Sequence, residues 1–213
     1  MNEIETLVDA YDARKLSRRD LIAALGAIAL PVSRDTGVQT SAVSQVAQGR
    51  SLNHASLAVS DVAAAADFYQ KVLGFKVSDW IDDFFVFMRC NADHHTVNFI
   101  RGKNIKMHHM AFELKDFIHL QNSCDLFGQR KIPIIWGPLR HGPGHNVATY
   151  HRNQDEQVVE FYCELDQMKD EELGYFEPRP WHHDTPQRPK RWTPGHTSVW
   201  GPPPTPDFHR TQV

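Results

Sequence analysis

An internal repeat is the feature of the sequence that most constrains its fold. The segments "NHASLAVSDVAAAADFYQKVLGF" (53–75) and "HHMAFELKDFIHLQNSCDLFG" (108–128) each read as an alternating strand followed by a helix. A histidine, an aspartate and a glycine recur at offsets of 55, 55 and 54 residues: His54 and His109, Asp61 and Asp116, Gly74 and Gly128. Because two copies are too few for a solenoid, we expect a pseudo-symmetric pair inside one domain.

Three strand-like runs follow each copy. They are "FKVSDWI", "DFFVFMRC" and "HTVNFI" in the first unit, and "IPIIWG", "NVATYHR" and "QVVEFYC" in the second. Ser60 or Asp61 suits the N-cap of the first helix, and Gly74 and Gly128 suit the ends of the two helices. The sequence therefore predicts an α+β fold, in which two βαβββ units pair into an open, cup-shaped mixed sheet with helices outside.

The alternation along the first strand of each unit predicts which histidine faces the inside of the cup. His54 shares its face with Ser56 and Ala58, opposite a bulky apolar face. Bulky faces pack under helices, whereas small residues leave room for a cavity. By the repeat, His109 occupies the matching position. Its neighbour His108 should point to the other face, as a packing residue or as a residue that supports a ligand.

A buried acid suggests why two histidines would face one cavity. Glu160 lies in the apolar run "EQVVEFYC", where a carboxylate costs several kcal/mol unless it is paired or metal-bound. The position 55 residues earlier is Ile105, so the repeat supplies no fourth acid. His54, His109 and Glu160 thus predict a two-histidine, one-carboxylate metal site with open coordination positions, the facial triad of non-heme Fe(II) oxygenases. Taken singly, either histidine could be a hydrogen-bonded core residue.

The chain from "LNHASLAVSDVAAAADFYQKVLGF" to "ATYHRNQDEQVVEFY" resembles the vicinal oxygen chelate superfamily. Within it, the chain is similar to the catalytic module of type I extradiol (meta-cleaving) catechol dioxygenases. Familiar bacterial members carry a second module before the catalytic one, where this chain has some fifty residues. The resemblance implies three metal ligands, which are His54, His109 and Glu160. It also implies that His95 is the acid–base residue. Tyr150 and His141 would be the residues that hydrogen-bond substrate oxygens.

From the residues alone, the last three have simpler explanations. His95, like its neighbour His94, could lie at a strand end on the surface. Tyr150 could be a half-buried aromatic residue with its hydroxyl in water, and His141 could be solvated in a glycine-rich loop. Their combined spacing favours the functional interpretation.

The activity that the resemblance implies is an Fe(II)-dependent extradiol dioxygenase, with Mn(II) as the alternative metal. Its partners would be a small aromatic diol and O2, and we expect a homo-oligomer. The alternatives are a glyoxalase-type metal-dependent lyase or isomerase, which usually recruits a further acid, and a metal-free drug-sequestering protein of the same fold. Arg140 is a candidate contact for a substrate carboxylate, and Trp80 and Trp136 are candidates for an aryl group.

The composition of the chain limits the classes of molecule that it is expected to bind. The chain has 213 residues and a net charge of −3, with acids and bases interspersed, so no basic surface indicates nucleic acid. Its thirteen histidines favour a metal site. Nothing approaches the roughly 18 consecutive apolar residues of a membrane span.

The two ends of the chain differ from the predicted catalytic domain, residues 51–164. In residues 1–50, twin arginines before an apolar run indicate either a twin-arginine export signal or an amphipathic helix, followed by a polar linker. The location is thus cytoplasmic or exported. Residues 165–213 hold nine of the thirteen prolines and three of the five tryptophans. We expect them to form an extended arm that covers the pocket mouth or a subunit contact.

Overall fold

The structure, a computed structural model, describes residues 51–177 and 190–209. The predictions for residues 1–50, and those for residues 178–189 and 210–213 of the tail, lie outside this part of the chain. Within the described ranges, no helix combines the length and the apolar character needed to cross a membrane.

Both repeat units have the predicted order of elements. The first contains β1 (Ser51–Val59), α1 (Val62–Phe68), a π-helical turn (Tyr69–Leu73), β2 (Lys76–Ile81), β3 (Phe85–Arg89) and β4 (Val97–Arg101). The second contains β5 (Lys106–Glu113), α2 (Phe117–Arg130), β6 (Ile134–His141), β7 (Val147–Arg152) and β8 (Val158–Cys163). After them come β9 (Gln167–Asp170), β10 (Tyr175–Glu177), β11 (Lys190–Trp192), a 3-10 turn (Pro194–His196), β12 (Ser198–Trp200) and α3 (Pro206–His209).

The strands of both units form one mixed sheet with approximate twofold symmetry. Its order is β11-β2-β3-β4-β1-β5-β8-β7-β6-β12. The antiparallel pair β1–β5 lies at the centre, and each of its strands has a parallel neighbour, β4 beside β1 and β8 beside β5. The predicted α+β fold of two paired units is confirmed.

The helix ends agree with the repeat except at one position. Asp61 and Asp116 are the N-caps, and each carboxylate accepts a hydrogen bond of 2.9 Å from a backbone N–H three residues later. Gly74 ends the first helical segment with φ of 74°, as predicted. The prediction that Gly128 ends the second helix is wrong. The helix continues to Arg130, and Lys131 adopts the left-handed conformation with φ of 55°.

The two faces of the sheet have different roles. On the outer face, Val62 and Ala66 of α1 pack on the first unit, and Leu120 of α2 packs on the second. The inner face carries an aromatic cluster that includes Trp136 and Tyr150. Burying the outer face under helices leaves the inner face as the wall of a cup.

The segment 190–209 connects the two edges of this sheet. Strand β11 pairs with β2 at one edge, and β12 pairs with β6 at the other. The five residues between β11 and β12 can span no more than about 20 Å. The sheet must therefore curl until its outer strands come within that distance. The extended arm over residues 165–213 as a whole remains a prediction.

Candidate metal centre

The inner face of the sheet encloses a cavity of about 280 Å³, close to the lower end of the size range of ligand sites. Part of its wall is polar: His54, Ser56, His95, Asn98, His108, His109, His141, Asn146, Tyr150, Glu160 and Thr197. The rest is apolar: Ile81, Phe84, Phe85, Phe87, Ile100, Trp136, Pro143, Pro194, Pro204 and Phe208. A small molecule with a polar end and an apolar body fits such a wall.

Strand register brings the three predicted metal ligands together. Ala111 of β5 pairs with His54 of β1 on one side and with Glu160 of β8 on the other. His109 precedes Ala111 by two residues and so shares its face. Because alanine is small, the space above it stays open to the three longer side chains. One nitrogen of each histidine and one oxygen of Glu160 lie within 4.8 Å of one another.

The charge at this cluster is set by one carboxylate. Oε2 of Glu160 lies 3.2 Å from Nε2 of both His54 and His109, and Oε1 accepts a 2.9 Å hydrogen bond from Nδ2 of Asn146. Burial by itself raises the pKa of Glu160, but the two imidazoles outweigh it and hold that pKa well below its usual range. Burial also lowers the pKa of His109. The buried set of two imidazole nitrogens and one carboxylate oxygen fits a divalent ion such as Fe(II) or Mn(II).

The adjacent histidine, His108, does not lie where strand alternation predicted. It lines the same cavity as His109, and the Nδ1 atoms of the two rings are 2.7 Å apart. The cause is a β-bulge: Ser56 pairs with His109 and Leu57 with Met107, so His108 is the unpaired extra residue. His108 therefore supports the His109 ring from the same side of the sheet.

His95 and His94 are buried, not exposed at a strand end. They lie in the loop before β4, which begins at Val97 and not at the predicted His95, and their exposed fractions are 3% and 0%. The ring of His95 lies 4.3 Å from that of His54. Burial, followed by the nearby His54 ring, lowers the pKa of His95 well below its usual value. A neutral His95 thus faces the cavity beside the cluster.

Tyr150 and His141 form a hydrogen-bonded pair on the opposite wall. The carbonyl of Thr197 lies 2.9 Å from Nδ1 of His141 and can only accept, so Nδ1 carries the proton. Nε2 then accepts a 2.7 Å hydrogen bond from the hydroxyl of Tyr150. Burial lowers the pKa of His141, whereas burial and then Glu160 raise that of Tyr150 well above its usual value. Both groups are neutral donors or acceptors rather than charges.

The position equivalent to Glu160 in the first unit is Asn98, not Ile105. Glu160 pairs with the residue two after His109, and Asn98 pairs with Ser56, the residue two after His54. Ile105 is 67% exposed. The sequence offset of 55 fails here because the loops of the two units differ in length. The first unit still supplies no second acid, but an amide stands in its place.

Two candidate substrate contacts lie outside the cavity. Arg140 donates hydrogen bonds to the carbonyl of His145 and to Glu164, and Trp80 packs against the first unit's outer cluster. Trp136 does line the cavity, where its ring stacks on Tyr150 at 5.1 Å.

Several cavity residues had no signal in the sequence. Asn146 and Thr197 contact the site through one polar atom each, and Phe208 reaches it from the far end of the chain. The density of aromatic residues in the tail was the one indication that part of it could pack on the domain.

Comparison with known proteins agrees with the fold. Residues 51–161 match the Glyoxalase/Bleomycin resistance protein/Dioxygenase superfamily, and the chain belongs to this family. Metapyrocatechase 2 of Cupriavidus necator is 27% identical over 119 residues, which are 55% of this chain and 37% of the relative. 3-Methylcatechol 2,3-dioxygenase of Pseudomonas putida is 30% identical over 119 residues, 52% of this chain and 40% of the relative.

Solved structures show the same architecture. A Mn(II)-bound glyoxalase from Novosphingobium aromaticivorans has a TM-score of 0.63 at 25% identity, over 83% of this chain and 52% of the other. A halotolerant catechol dioxygenase has a TM-score of 0.60 at 26% identity, over 74% and 49%. This chain spans well under half of the curated relatives, 37% and 40%.

Proposed function

We propose that the protein is an extradiol dioxygenase, which uses Fe(II) or Mn(II) and O2 to open the ring of an aromatic diol. The observation that carries the proposal is the convergence of His54, His109 and Glu160 in a cavity that also presents His95 and Tyr150. The two curated relatives, named as a metapyrocatechase and a catechol 2,3-dioxygenase, support this choice within the family.

His54, His109 and Glu160 would hold the metal. When bound, the ion would supply Lewis acidity toward the substrate oxygens and, as iron, redox chemistry with O2. His95, neutral at the cavity wall, would accept the proton of a substrate hydroxyl and return it later in the reaction. Tyr150 would turn the hydroxyl proton that it donates to Nε2 of His141 toward a substrate oxygen as charge develops there, and His141 would hold the Tyr150 hydroxyl in place. The apolar wall would exclude water from the ring.

The cavity wall also suggests the kind of ring substituent. Among the described residues that line it, none is Lys or Arg, and Phe84, Phe85 and Ile81 form an apolar part of the wall. A substrate carboxylate would lose its hydration there without gaining a cationic partner. We therefore expect catechols with apolar substituents to be turned over faster than those with a carboxylate. Equal kcat/KM for matched methyl- and carboxyl-substituted catechols would contradict this.

Anaerobic reconstitution tests the function. The protein is loaded with Fe(II) or Mn(II) without oxygen, and a substituted catechol is added under air. We expect one metal per chain and a yellow ring-fission product. A protein that binds metal but yields no such product, and instead isomerises a thiol–aldehyde adduct, would be of the glyoxalase type. A protein that binds no metal would be a binding protein of the same fold.

The His95→Phe variant tests the proposed acid–base residue. It should retain metal and catechol binding, because no proposed ligand changes, yet lose at least about 100-fold in kcat. Calorimetric metal titration and single-turnover absorbance measure the two properties separately. Turnover equal to that of the wild type would remove His95 from the mechanism.

A further inference from the structure

A buried chain of hydrogen bonds lies behind His95. Nδ1 of His95 is 3.0 Å from Nδ1 of His94, and Nε2 of His94 is 3.0 Å from Oδ2 of Asp79. The exposed fractions of Asp79 and His94 are both 0%. Neither residue is among those that line the cavity, so the hydrogen bonds of this pair reach the cavity through His95.

The donors and acceptors along this series of hydrogen bonds can be assigned from the chemistry of the groups. The Asp79 carboxylate can only accept, and its Oδ2 also receives a 2.9 Å hydrogen bond from Nε1–H of Trp192. The His94 ring must therefore carry its proton on Nε2, which leaves Nδ1 as an acceptor in the neutral ring. His95 then donates from Nδ1–H, and its Nε2 bears a lone pair.

The surrounding backbone holds the hydrogen-bonded residues Asp79 and His94 in place. A shift in the β2–β3 pairing between Val77 and Asp79 leaves Ser78 unpaired, and both Ser78 and Asp79 are buried at this irregularity. The backbone N–H of His94 donates a 2.8 Å hydrogen bond to the carbonyl of Asp166. Gly144, with φ of 75°, lies so close that an added Cβ would stand 3.1 Å from Nδ1 of His94.

We propose that Asp79 and His94 are positioning residues that fix the tautomer of His95 and stabilise the cation it forms. This inference rests on the proposed function, in which His95 takes a substrate proton. The proton leaves the substrate hydroxyl and binds Nε2 of His95, whose ring becomes an imidazolium. Its Nδ1–H remains bonded to His94, and the Asp79 carboxylate balances the positive charge through that ring. When the proton returns to the substrate side, all three residues regain their initial state.

A matched pair of substitutions at His94 tests the acceptor. In His94→Asn, the side-chain oxygen lies one bond beyond Cγ, as Nδ1 does, and can still accept from His95 Nδ1–H. His94→Leu has nearly the same shape but no acceptor. We expect kcat of His94→Leu to be at least tenfold below that of His94→Asn, with equal metal content and KM within twofold. Equal kcat values for the two variants would overturn the proposal.

A second pair separates charge from general destabilisation. Asp79→Asn keeps an oxygen acceptor but removes the charge, so kcat should fall about tenfold while KM stays unchanged. Asp116→Asn is the control, because it also removes one carboxylate, which accepts a 2.9 Å hydrogen bond from the backbone N–H of His119 at the start of α2, outside the cavity lining. Its kcat should stay within twofold of the wild type. Equal losses in both variants would indicate a structural role and contradict the proposal.

Nuclear magnetic resonance provides a readout that does not depend on activity. Long-range ¹H–¹⁵N correlations on the full chain with ¹⁵N-labelled histidine distinguish Nδ1–H from Nε2–H rings. We expect His95 to carry its proton on Nδ1 in the wild type and in His94→Asn, and to lose that preference in His94→Leu. A wild-type His95 protonated on Nε2 would overturn the inference. A wild type that cleaves no catechol but shows the expected tautomer would remove the proposed function and leave the hydrogen-bond chain intact.

Discussion

Individual histidines in this protein differ in what surrounds them. His151 on β7 is 8% exposed and packs between the rings of Phe127 and Phe161, at 4.3 and 5.0 Å. Its Nδ1 has no hydrogen-bond partner among the described residues. Burial lowers the pKa of His151 to about 4, so this ring stays neutral where an exposed histidine would be charged.

That lowered pKa predicts acid sensitivity. The unfolded chain binds a proton at this histidine near pH 6.5 and the folded chain only near pH 4, so stability is complete above about pH 6.5 and falls toward pH 4. The loss from this one residue amounts to at most about 3 kcal/mol. In His151→Phe, which keeps an aromatic ring there, the free energy of unfolding should fall less over this window. Urea titrations at several pH values measure it, and parallel curves for both proteins would contradict the prediction.

Asn146 offers a second test at the residue scale. Its side-chain amide donates a 2.9 Å hydrogen bond to Oε1 of Glu160, and the residue is 1% exposed. Asn146→Leu should weaken Mn(II) binding about 10- to 100-fold, because groups that orient a metal ligand typically contribute that much. Calorimetric titration measures the affinity. Asn91→Ala, in an exposed loop outside the cavity lining, is the control and should leave affinity unchanged.

At the scale of elements, strand register decides which residues meet. Strands β4 and β8 hold equivalent places beside β1 and β5. Register places Asn98 where the second unit has Glu160, and Oδ1 of Asn98 is buried with no hydrogen-bond partner among the described residues. This strand thus leaves a neutral amide at a position that could hold a fourth ligand.

The Asn98→Glu variant should add a fourth protein ligand to the three proposed metal ligands. A second carboxylate would bind Mn(II) at least tenfold more tightly, about 1.4 kcal/mol, and would occupy a position otherwise open to substrate or O2. Ring-fission activity should fall at least tenfold. Without metal, two neighbouring buried carboxylates should lower the melting temperature. Asn98→Leu controls for loss of the amide, and affinity no higher than in this control would refute the equivalence of the two strands.

At the scale of the whole molecule, the end of the chain completes the cavity. Pro194, Thr197, Pro204 and Phe208 all line it. The Phe208 ring lies 4.7 Å from Trp136 and 5.1 Å from Tyr150. Residues more than 50 positions apart in the chain thus form one wall.

Removing that ring should therefore affect both stability and substrate binding. Phe208→Ala should cost about 3 kcal/mol, since truncating a buried phenylalanine leaves a cavity, and raise KM for a catechol at least fivefold. Trp200→Ala is the control: Trp200 belongs to the same segment but is 43% exposed, so it should change stability by about 0.5 kcal/mol or less. Thermal unfolding and steady-state kinetics measure the two effects. An unchanged KM in Phe208→Ala would show that Phe208 does not contribute to substrate binding.

The sequence predicted those features that depend on local periodicity. The spacing of His54 and His109, the aspartate caps and the alternating strands predicted the two units and the inward face of both histidines, because side-chain direction follows strand period where no bulge interrupts the pairing. It also identified Glu160, because an acid in an apolar run is conspicuous wherever the run lies.

Tertiary structure decided the rest, because contacts between distant residues depend on strand register, bulges and loop lengths, none of which local sequence specifies. A bulge placed His108 beside His109, and register made Asn98 rather than Ile105 the counterpart of Glu160. The pairing of β2 with β3 brings Asp79 near the loop that carries His94, and the pairing of β12 with β6 brings Thr197 to His141. The repeat alone determined that two histidines face one cavity; the packing of the two units determined what surrounds them.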